Sequence, residues 1–397
     1  MRKSVSREQV VAFRVGTHHL GDRLPADGLL VAAGACGIQN SPPGSALLAL
    51  AARVQAVTTD GMARAVADDK GLLQTWSLRG APFFFPTADA AVFTTGVLPP
   101  TEAALRHFLP SLVAAVDGLA MTVTEAVDLA RQQIAPVLAD ARSGSTTSAP
   151  DSPIGSLQRC RPCSASDGRN RARSRPASRW ARRSFTSASV SSRCRVWSAS
   201  RHASTTPRRS SWSRTGCHTR SPRVDPTLAR AALLRRNLHC YGPSTPRDFA
   251  AWVGVAAGDA DSWWRLVAEE LTSLDVGGTA WLLTKDLDAL RSAPRPDGVR
   301  ILPPRDPYTQ LHDRGTILDE GHHRTVWRST GEPGTILADG RVAGTWRPRK
   351  TGPKLVIAVA SFRALSSRTK TSIQTEADRV APLRGARTVS VTFTAQP

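Results

Sequence analysis

The spacing of apolar residues predicts that the first 140 residues are mainly helical. Ser6 and Gln9 form a capping-box pattern ahead of an amphipathic run that begins at Val10. The helical period is clearest over residues 44–54 and 59–68. Further helices are predicted near residues 87–95, 101–117 and 122–138.

One stretch inside this helical region has the two-residue period of a β-hairpin. Residues 72–78 alternate between apolar and polar side chains, Arg79-Gly80 reads as a turn, and residues 82–85 form a short apolar strand. Helices followed by a two-stranded ribbon are the element order of a winged helix, in which one helix enters the DNA groove. A small α+β domain of another topology fits the same pattern.

The same element order recurs after residue 225. Three helices are predicted, over residues 225–237, 245–253 and 259–271, and a hairpin follows over residues 271–283 with Gly277-Gly278 at its turn. From Val299 onward the pattern is typical of strands and predicts a small β-barrel or a curved sheet. These strands are expected over residues 323–328, 334–338, 341–347 and 354–360.

Together these patterns predict an α+β fold with tandem winged-helix domains and a C-terminal β-barrel-like region, interrupted by a disordered Arg/Ser-rich segment. The predicted parts are an N-terminal helical and winged-helix region, the Arg/Ser-rich segment, a second winged-helix domain and a β-rich domain. They span residues 1–144, 145–224, 225–298 and 299–397.

The segment over residues 145–224 has no helical or strand period. Its last 74 residues contain 17 Arg, 18 Ser, no Lys and 2 Asp. Such a composition buries too little apolar surface to offset chain entropy, which predicts disorder. A basic nucleic-acid tether and a plain linker are two interpretations. We favour a third, an out-of-frame translation of a GC-rich gene, because the flanking sequence resembles one ordinary protein.

Charge and cysteine content narrow the classes of protein. The net charge is +21, which favours a polyanionic partner, although most of the excess lies in the Arg/Ser-rich segment. No run of about 18 apolar residues is present, so no membrane span is expected and a cytoplasmic location is the default. Cys36 and Cys240 lie in apolar surroundings and are expected to be buried free thiols. Cys160 and Cys163 have the spacing of paired zinc ligands. A zinc site is nevertheless disfavoured because the later candidate ligands lack such spacing; these are Cys194, His202, Cys217 and His218.

Four stretches, in order along the chain, resemble the winged-helix DNA-binding family that includes the bacterial interstrand-crosslink DNA glycosylases (AlkZ-like). They are GIQNSPPGSA from Gly37, TWSLRG from Thr75, LHCYGPSTPRDF from Leu238, and LPPRDPYTQLHDR from Leu302 with DGRVAGTWR from Asp339. Each stretch is weak alone, whereas the order of all four is fairly specific. The resemblance covers about four fifths of the chain.

The resemblance implies a catalytic Gln-x-Gln motif that places the attacking water or holds the damaged nucleotide. Gln39 matches the first Gln, Asn40 the middle residue and Ser41 the second Gln. Gln39 and Ser41 are therefore the candidate catalytic residues and Asn40 a candidate DNA contact. The hydroxyl of Ser41 still forms hydrogen bonds but has a shorter reach than an amide. A helix-capping role for Asn40 and Ser41 is the structural alternative.

Basic residues supply the other candidate DNA contacts. Arg79 is expected at the DNA and Trp76 in the core, although stacking by Trp76 is the alternative. Asp306 is interpreted as a structural partner of Arg314. The candidate DNA-binding residues besides Asn40 are Arg53, Arg79, Arg314, Arg347, Arg349 and Lys350.

Two functions follow from these observations. The first is a monofunctional DNA glycosylase that removes alkylated or crosslinked bases by hydrolysis of the N-glycosidic bond. The alternative is a non-catalytic DNA-binding protein, such as a transcriptional regulator, of the same fold. Double-stranded DNA is the expected partner, no cofactor or metal is expected, and the protein is expected to be a nucleoid-associated monomer.

Overall fold

Helices and strands alternate along residues 3–130, 132–133 and 225–395, which are the residues that the computed structural model describes. In chain order the helices are α1 (Arg7–Thr17), α2 (Leu29–Cys36), α3 (Ser45–Arg53), α4 (Thr59–Ala67), α5 (Ala90–Thr94), α6 (Glu102–Phe108), α7 (Pro110–Gly118), α8 (123–130), α9 (Pro226–Tyr241), α10 (Pro246–Val253), α11 (Asp261–Trp264), α12 (Leu287–Ser292), α13 (His323–Val326) and α14 (Ser367–Leu383).

Eleven strands in the described residues form three sheets. They are β1 (Lys3–Ser4), β2 (Ile38–Gln39), β3 (Leu72–Trp76), β4 (Pro82–Pro86), β5 (Leu271–Asp275), β6 (Thr279–Leu283), β7 (Val299–Leu302), β8 (Gly334–Ala338), β9 (Arg341–Thr351), β10 (Lys354–Ser361) and β11 (Thr388–Ala395). The sheet orders are β2-β4-β3, β1-β5-β6 and β11-β10-β9-β8-β7. The predicted α+β class is confirmed.

The first group of elements runs from α2 to β4. The side chain of Thr58 accepts a hydrogen bond from the Gly61 amide and caps α4. The hairpin β3–β4 is antiparallel, and β2 joins it on the other side of β4. A buried cluster that includes Ile38, Leu50 and Phe84 holds these helices on the small sheet. The helices predicted over 44–54 and 59–68 and the hairpin after them are confirmed.

The second group repeats this order from α9 to β6. Thr245 and Asp248 form a capping box at the start of α10, and Pro246 occupies its first turn. Ser244 forms an isolated antiparallel bridge with Trp281 of β6, in the place that β2 takes beside β4. The hairpin β5–β6 is also joined by β1, which runs parallel to β5.

The C-terminal sheet corrects two predictions. It is open, with β7 and β11 at its edges, so the predicted β-barrel-like closure is wrong and the alternative of a sheet is right. Residues 323–326 form the short helix α13, so the strand predicted over residues 323–328 is wrong. The long helix α14 was not predicted. It connects β10 to the parallel strand β11 and buries Ile373 and Val380 against the sheet.

One core joins the two described parts of the chain. A single buried cluster contains Val11 and Phe85 from the first part and Leu234, Phe249 and Leu337 from the second. Accordingly, all described residues belong to one compact unit. The predicted disorder of residues 145–224, with the cysteines inside that segment, lies outside the described residues. Among the described helices, none is both long and apolar enough to cross a bilayer.

Candidate active site and DNA interface

The loop between β2 and α3 carries the three residues of the candidate motif. The Asn40 amide donates to the Pro82 carbonyl at 2.8 Å, which holds the loop against β4. The Asn40 side-chain oxygen accepts from the Gly44 and Ala46 amides at 2.9 and 3.3 Å. Asn40 therefore caps α3, as the structural alternative proposes, and this oxygen is already engaged. Its contact with DNA stays a prediction.

Gln39 is buried and points toward a junction of three segments. Its side-chain oxygen accepts from Arg79 Nη2 at 3.1 Å. The same Arg79 nitrogen lies 3.3 Å from the Gln310 side-chain oxygen, and Arg79 Nη1 donates to the Trp252 carbonyl. Burial lowers the pKa of the Arg79 guanidinium. The three acceptor oxygens oppose this effect because hydrogen bonds from the guanidinium stabilise its charged form. Arg79 thus fixes the amide of Gln39 in one orientation.

This geometry corrects the interpretation of the first hairpin. Arg79 has a left-handed backbone (φ 54°) in the turn between β3 and β4, and its guanidinium folds inward instead of extending freely toward DNA. Trp76, at the end of β3, is 54% exposed rather than part of the core. The predicted core position of Trp76 is therefore wrong, because this side chain stands at the surface, and the contact of Arg79 with DNA stays a prediction.

The two residues that follow Ser41 share a groove with a carboxylate that sequence reasoning missed. Pro42 and Pro43 line this groove of about 220 Å³ together with Glu332 and Trp346. The side chain of Glu332 is 12% exposed. Burial raises the pKa of the Glu332 carboxyl, against the opposing effect of nearby arginines.

The partners of Glu332 connect this groove to Arg79. Glu332 accepts from the Arg305 amide at 3.3 Å, and its other oxygen lies 3.7 Å from Arg305 Nε. The charges of Arg314 and Arg79 also lower the pKa of Glu332. A carboxylate surrounded by arginines and partly withheld from water is an environment suited to proton transfer. No local motif marks Glu332, since its neighbours come from distant parts of the chain.

Arg314 lies at a second, smaller cleft that Arg79 also lines. Its guanidinium stacks over the Trp327 ring at 4.7 Å, and burial lowers its pKa. The cleft measures about 120 Å³, and its lining includes Arg79, Trp252, Gln310, His312, Arg314 and Trp327. The predicted pairing of Arg314 with Asp306 is wrong, because Asp306 is bonded elsewhere.

Asp306 forms a buried ion pair with Arg53. Arg53 Nη1 and Nη2 lie 2.8 and 2.6 Å from the two oxygens of Asp306, and Arg53 is 1% exposed. Arg53 Nη1 also donates to the Ala49 carbonyl. In this structure Arg53 is therefore a buried structural residue, and its contact with DNA stays a prediction that this burial does not favour.

The basic residues of the hairpin β9–β10 are exposed but do not share one face. The strands pair antiparallel, with Arg347 opposite Ala358, Arg349 opposite Val356 and Lys350 opposite Leu355. Because side chains alternate along a strand, Arg347 and Arg349 lie on one face and Lys350 on the other. Lys350 faces the loop before α3, where it lines a groove with Pro43 and Leu48. Arg347 therefore lines the groove of Glu332, whereas Lys350 lines the neighbouring groove.

Comparison with known proteins identifies the family. The family model described as "DNA glycosylase AlkZ-like" matches residues 32–383. An interstrand DNA cross-link repair glycosylase of Streptomyces sahachiroi is 30% identical over 132 residues, which are 31% of this chain and 35% of that protein. The match thus spans about a third of that curated relative.

The solved structures agree at the level of the fold. The Streptomyces sahachiroi DNA glycosylase AlkZ superposes with a TM-score of 0.58 at 20% identity, over 98% of this chain and 100% of the other. The likeness in structure concerns architecture, whereas the family match extends over most of the sequence and includes the loop with Gln39. On that match, the chain belongs to the AlkZ-like DNA glycosylase family.

Proposed function

We propose that this chain is a DNA glycosylase that releases alkylated or crosslinked bases from double-stranded DNA by hydrolysing the N-glycosidic bond. The observation that carries the proposal is the Gln39 amide, which accepts a hydrogen bond from Arg79, a guanidinium whose charge also acts on Glu332 in the groove lined by Pro42 and Pro43. The resemblance implies that Gln39 matches the first glutamine of the family's catalytic motif, and the range of the family match includes this residue.

Tandem winged helices are the proposed DNA-binding architecture. In the first group the order is helix α2, strand β2, helices α3 and α4, and hairpin β3–β4. In the second group, α9, the bridge at Ser244, α10, α11 and hairpin β5–β6 follow the same order. Helix α4 buries only Ala65, which leaves most of its surface free for a DNA groove.

The proposed chemistry uses Gln39 and Ser41 to orient a water and Glu332 to accept its proton. The oxygen of the water forms a bond to C1′ of the sugar as the bond from C1′ to the base nitrogen breaks. The electron pair of that bond leaves with the base, and the proton lost by the water passes to the Glu332 carboxylate. A carboxyl with a raised pKa is suited to this transfer because its proton affinity lies nearer neutral pH.

Exposed basic and aromatic groups are the proposed DNA contacts. Arg347, Arg349 and Lys350 contact phosphates from the β9–β10 hairpin, and Arg314 contacts the backbone from the cleft at Trp327. Trp76 stacks on a base or sugar from the tip of the first hairpin, where its ring is exposed.

The test is base release from a duplex that carries an alkylation crosslink. We expect release by the unmodified chain and a loss of about 10²-fold in rate for Gln39→Ala, the size of a typical acid–base or orientation effect. Gln374→Ala, at a glutamine of α14 that bonds to Asp378 on the same helix, is the matched control and is expected to retain full rate. Equal rates for both variants would remove Gln39 from the site.

A non-catalytic DNA-binding protein is the second candidate, and the serine at position 41 favours it. A hydroxyl replaces the second amide of the motif, and Asn40 is engaged in capping α3. This candidate predicts that the folded chain shifts duplex DNA in a salt-dependent manner but releases no base from any alkylated duplex.

A further inference from the structure

Three buried side chains with metal-binding atoms converge where the two described parts of the chain meet. They are His18, Cys36 and Cys240, and one ligand atom from each lies within 4.8 Å of the others. His18 Nδ1 lies 4.0 Å from Cys36 Sγ. All three residues are at most 2% exposed. Neither the proposed glycosylase chemistry nor DNA contact uses these groups.

The nitrogen atoms of His18 in this cluster have few hydrogen-bond partners within the protein. His18 Nε2 is buried without a hydrogen-bond partner, and His18 Nδ1 has only the long contact to sulfur. Cys240 Sγ lies 3.4 Å from the Ala35 carbonyl. Buried polar groups are nearly always paired, so His18 Nδ1, with only its 4.0 Å contact to Cys36 Sγ, has room for a partner such as an ion on the side of the two sulfurs.

The spacing of the atoms fits a tetrahedral ion. Zinc bonds of about 2.0–2.3 Å to nitrogen and sulfur place neighbouring ligand atoms about 3.5–3.8 Å apart. The contact of His18 with Cys36 at 4.0 Å is close to that range. The Tyr241 hydroxyl also lies 3.8 Å from Cys36 Sγ. Its proton is donated to the Pro307 carbonyl at 2.8 Å, which leaves an oxygen lone pair for a fourth position.

The surrounding electrostatics favour a cation at this place. His18 is the C-cap of α1, Cys36 is the last residue of α2, and Cys240 lies in the last turn of α9. Three helix C-termini therefore direct their negative ends toward the cluster. Two thiolates balance the charge of a divalent ion. The site as a whole would therefore be neutral toward the buried ion pair of Arg53 and Asp306.

We propose that His18 Nδ1, Cys36 Sγ and Cys240 Sγ form a closed structural site for a thiolate-preferring divalent cation, with zinc as the natural occupant. Binding replaces two S–H bonds by two sulfur–metal bonds and releases two protons to solvent. Because His18 and Cys36 precede the Arg/Ser-rich segment and Cys240 follows it, the ion links the two described parts of the chain. The site is independent of the proposed glycosylase activity.

The experiment uses the full, tag-free chain with Cys160, Cys163, Cys194 and Cys217 replaced by Ser, so that Cys36 and Cys240 are its only thiols. It is purified with reductant and without chelator, and its zinc content is measured by mass spectrometry. We expect about one zinc per chain. Replacement of zinc by cobalt(II) is expected to give the visible absorption bands of tetrahedral thiolate coordination.

Substitutions then assign the ligands. His18→Asn and Cys36→Ser are expected to abolish both stoichiometric zinc and the cobalt bands, whereas His19→Asn, at the neighbouring histidine, retains them. A folded four-serine chain without zinc or cobalt bands overturns the proposal, and this readout requires no ligand substitution. A disulfide between Cys36 and Cys240, found by thiol alkylation of the native protein, also overturns it, as does zinc binding that survives His18→Asn.

Discussion

At the scale of single residues, a substitution in the buried ion pair of Arg53 and Asp306 distinguishes a structural role of Arg53 from a role in DNA binding. Removing one partner leaves an unpaired buried charge, which typically costs about 3–5 kcal/mol. We therefore expect Arg53→Met to lower the free energy of unfolding by about this amount in urea titrations. Arg106→Met is the matched control, because Arg106 pairs with Asp117 at the surface.

The two pairs differ in burial, and their outcomes differ accordingly. Water and salt screen surface ion pairs, so the Arg106 variant is expected to unfold nearly as the unmodified chain does. If Arg53→Met keeps its stability and instead loses affinity for DNA, then Arg53 reaches the phosphate backbone and its burial in this structure does not describe the active protein.

Glu332 gives a pH-dependent prediction at the same scale. Burial raises its pKa in the folded state, so between the unfolded and folded pKa values the native protein binds more protons than the unfolded chain. Its contribution therefore favours folding at low pH and is lost as pH rises through the folded pKa. Glu332→Gln, which removes the buried charge, is expected to be more stable than the unmodified chain at neutral pH.

The difference in stability is expected to disappear below pH 4.5, the ordinary pKa of a glutamate, where both proteins carry a neutral side chain. Denaturant titrations at acidic and neutral pH measure this difference. The same variant is expected to release base more slowly if Glu332 accepts the water's proton. A Gln variant that is less stable at neutral pH would mean that Arg305 outweighs burial and keeps the carboxyl charged.

The sequence predicts a site residue well when its contacting residues are close to it in sequence and poorly when they are far away. Gln39, Asn40 and Ser41 are adjacent, so one short motif identifies them and even the capping role of Asn40. Arg53 and Asp306 are far apart in sequence, and nothing local shows that an arginine at the end of α3 is sealed in the core. Trp76 was misplaced for a similar reason, because an aromatic residue in an alternating strand usually faces a core.

At the scale of elements, the β9–β10 hairpin is the proposed phosphate-contacting arm. Each phosphate contact that is lost lowers the slope of log affinity against log salt by about 0.9. Arg347→Gln with Arg349→Gln is expected to weaken duplex binding and to reduce this slope by about 2 if each residue neutralises one phosphate. Fluorescence anisotropy over a range of salt concentrations measures it.

The control for the hairpin is Arg368→Gln on α14, whose side chain is 86% exposed and lies outside the hairpin. It is expected to change neither the slope nor the affinity by a comparable amount. Equal effects at both places would indicate that binding depends on net charge alone and that the hairpin is not a dedicated contact.

Periodicity predicts isolated elements better than their assembly. Helices α3 and α4 and both hairpins follow from local apolar spacing, because each buries one continuous face. Helix α14 had a comparable signal, since Ser366 caps it and Ile373, Ala377 and Val380 follow a helical period. This helix was not predicted because the sequence after Val299 was expected to form strands throughout. The open edge of the sheet was beyond local reasoning, because strand pairing is set by contacts between distant segments.

At the scale of the whole molecule, the two described parts of the chain depend on each other for their core. Strand β1 lies beside β5, and Arg14 of α1 donates to the Gly242 and Pro243 carbonyls and pairs with Asp313 at 2.7 Å. The shared buried cluster draws on both parts. A boundary drawn from composition, such as one at residue 144, therefore marks a change in sequence pattern, and whether it also marks a domain stays a prediction.

Fragment complementation tests this dependence directly. Residues 1–144 and 225–397, expressed as two separate chains in one cell, are expected to copurify in equal amounts and to unfold in one cooperative transition, because neither fragment alone covers its buried surface. Each fragment expressed alone is expected to be insoluble or to lack a cooperative transition. Val11→Asp, which places an unpaired charge in the shared cluster, is expected to abolish copurification, whereas a charge at the exposed Leu119 leaves it intact. If either fragment alone unfolds cooperatively, the two parts are autonomous domains, and the shared core is an interface formed after folding.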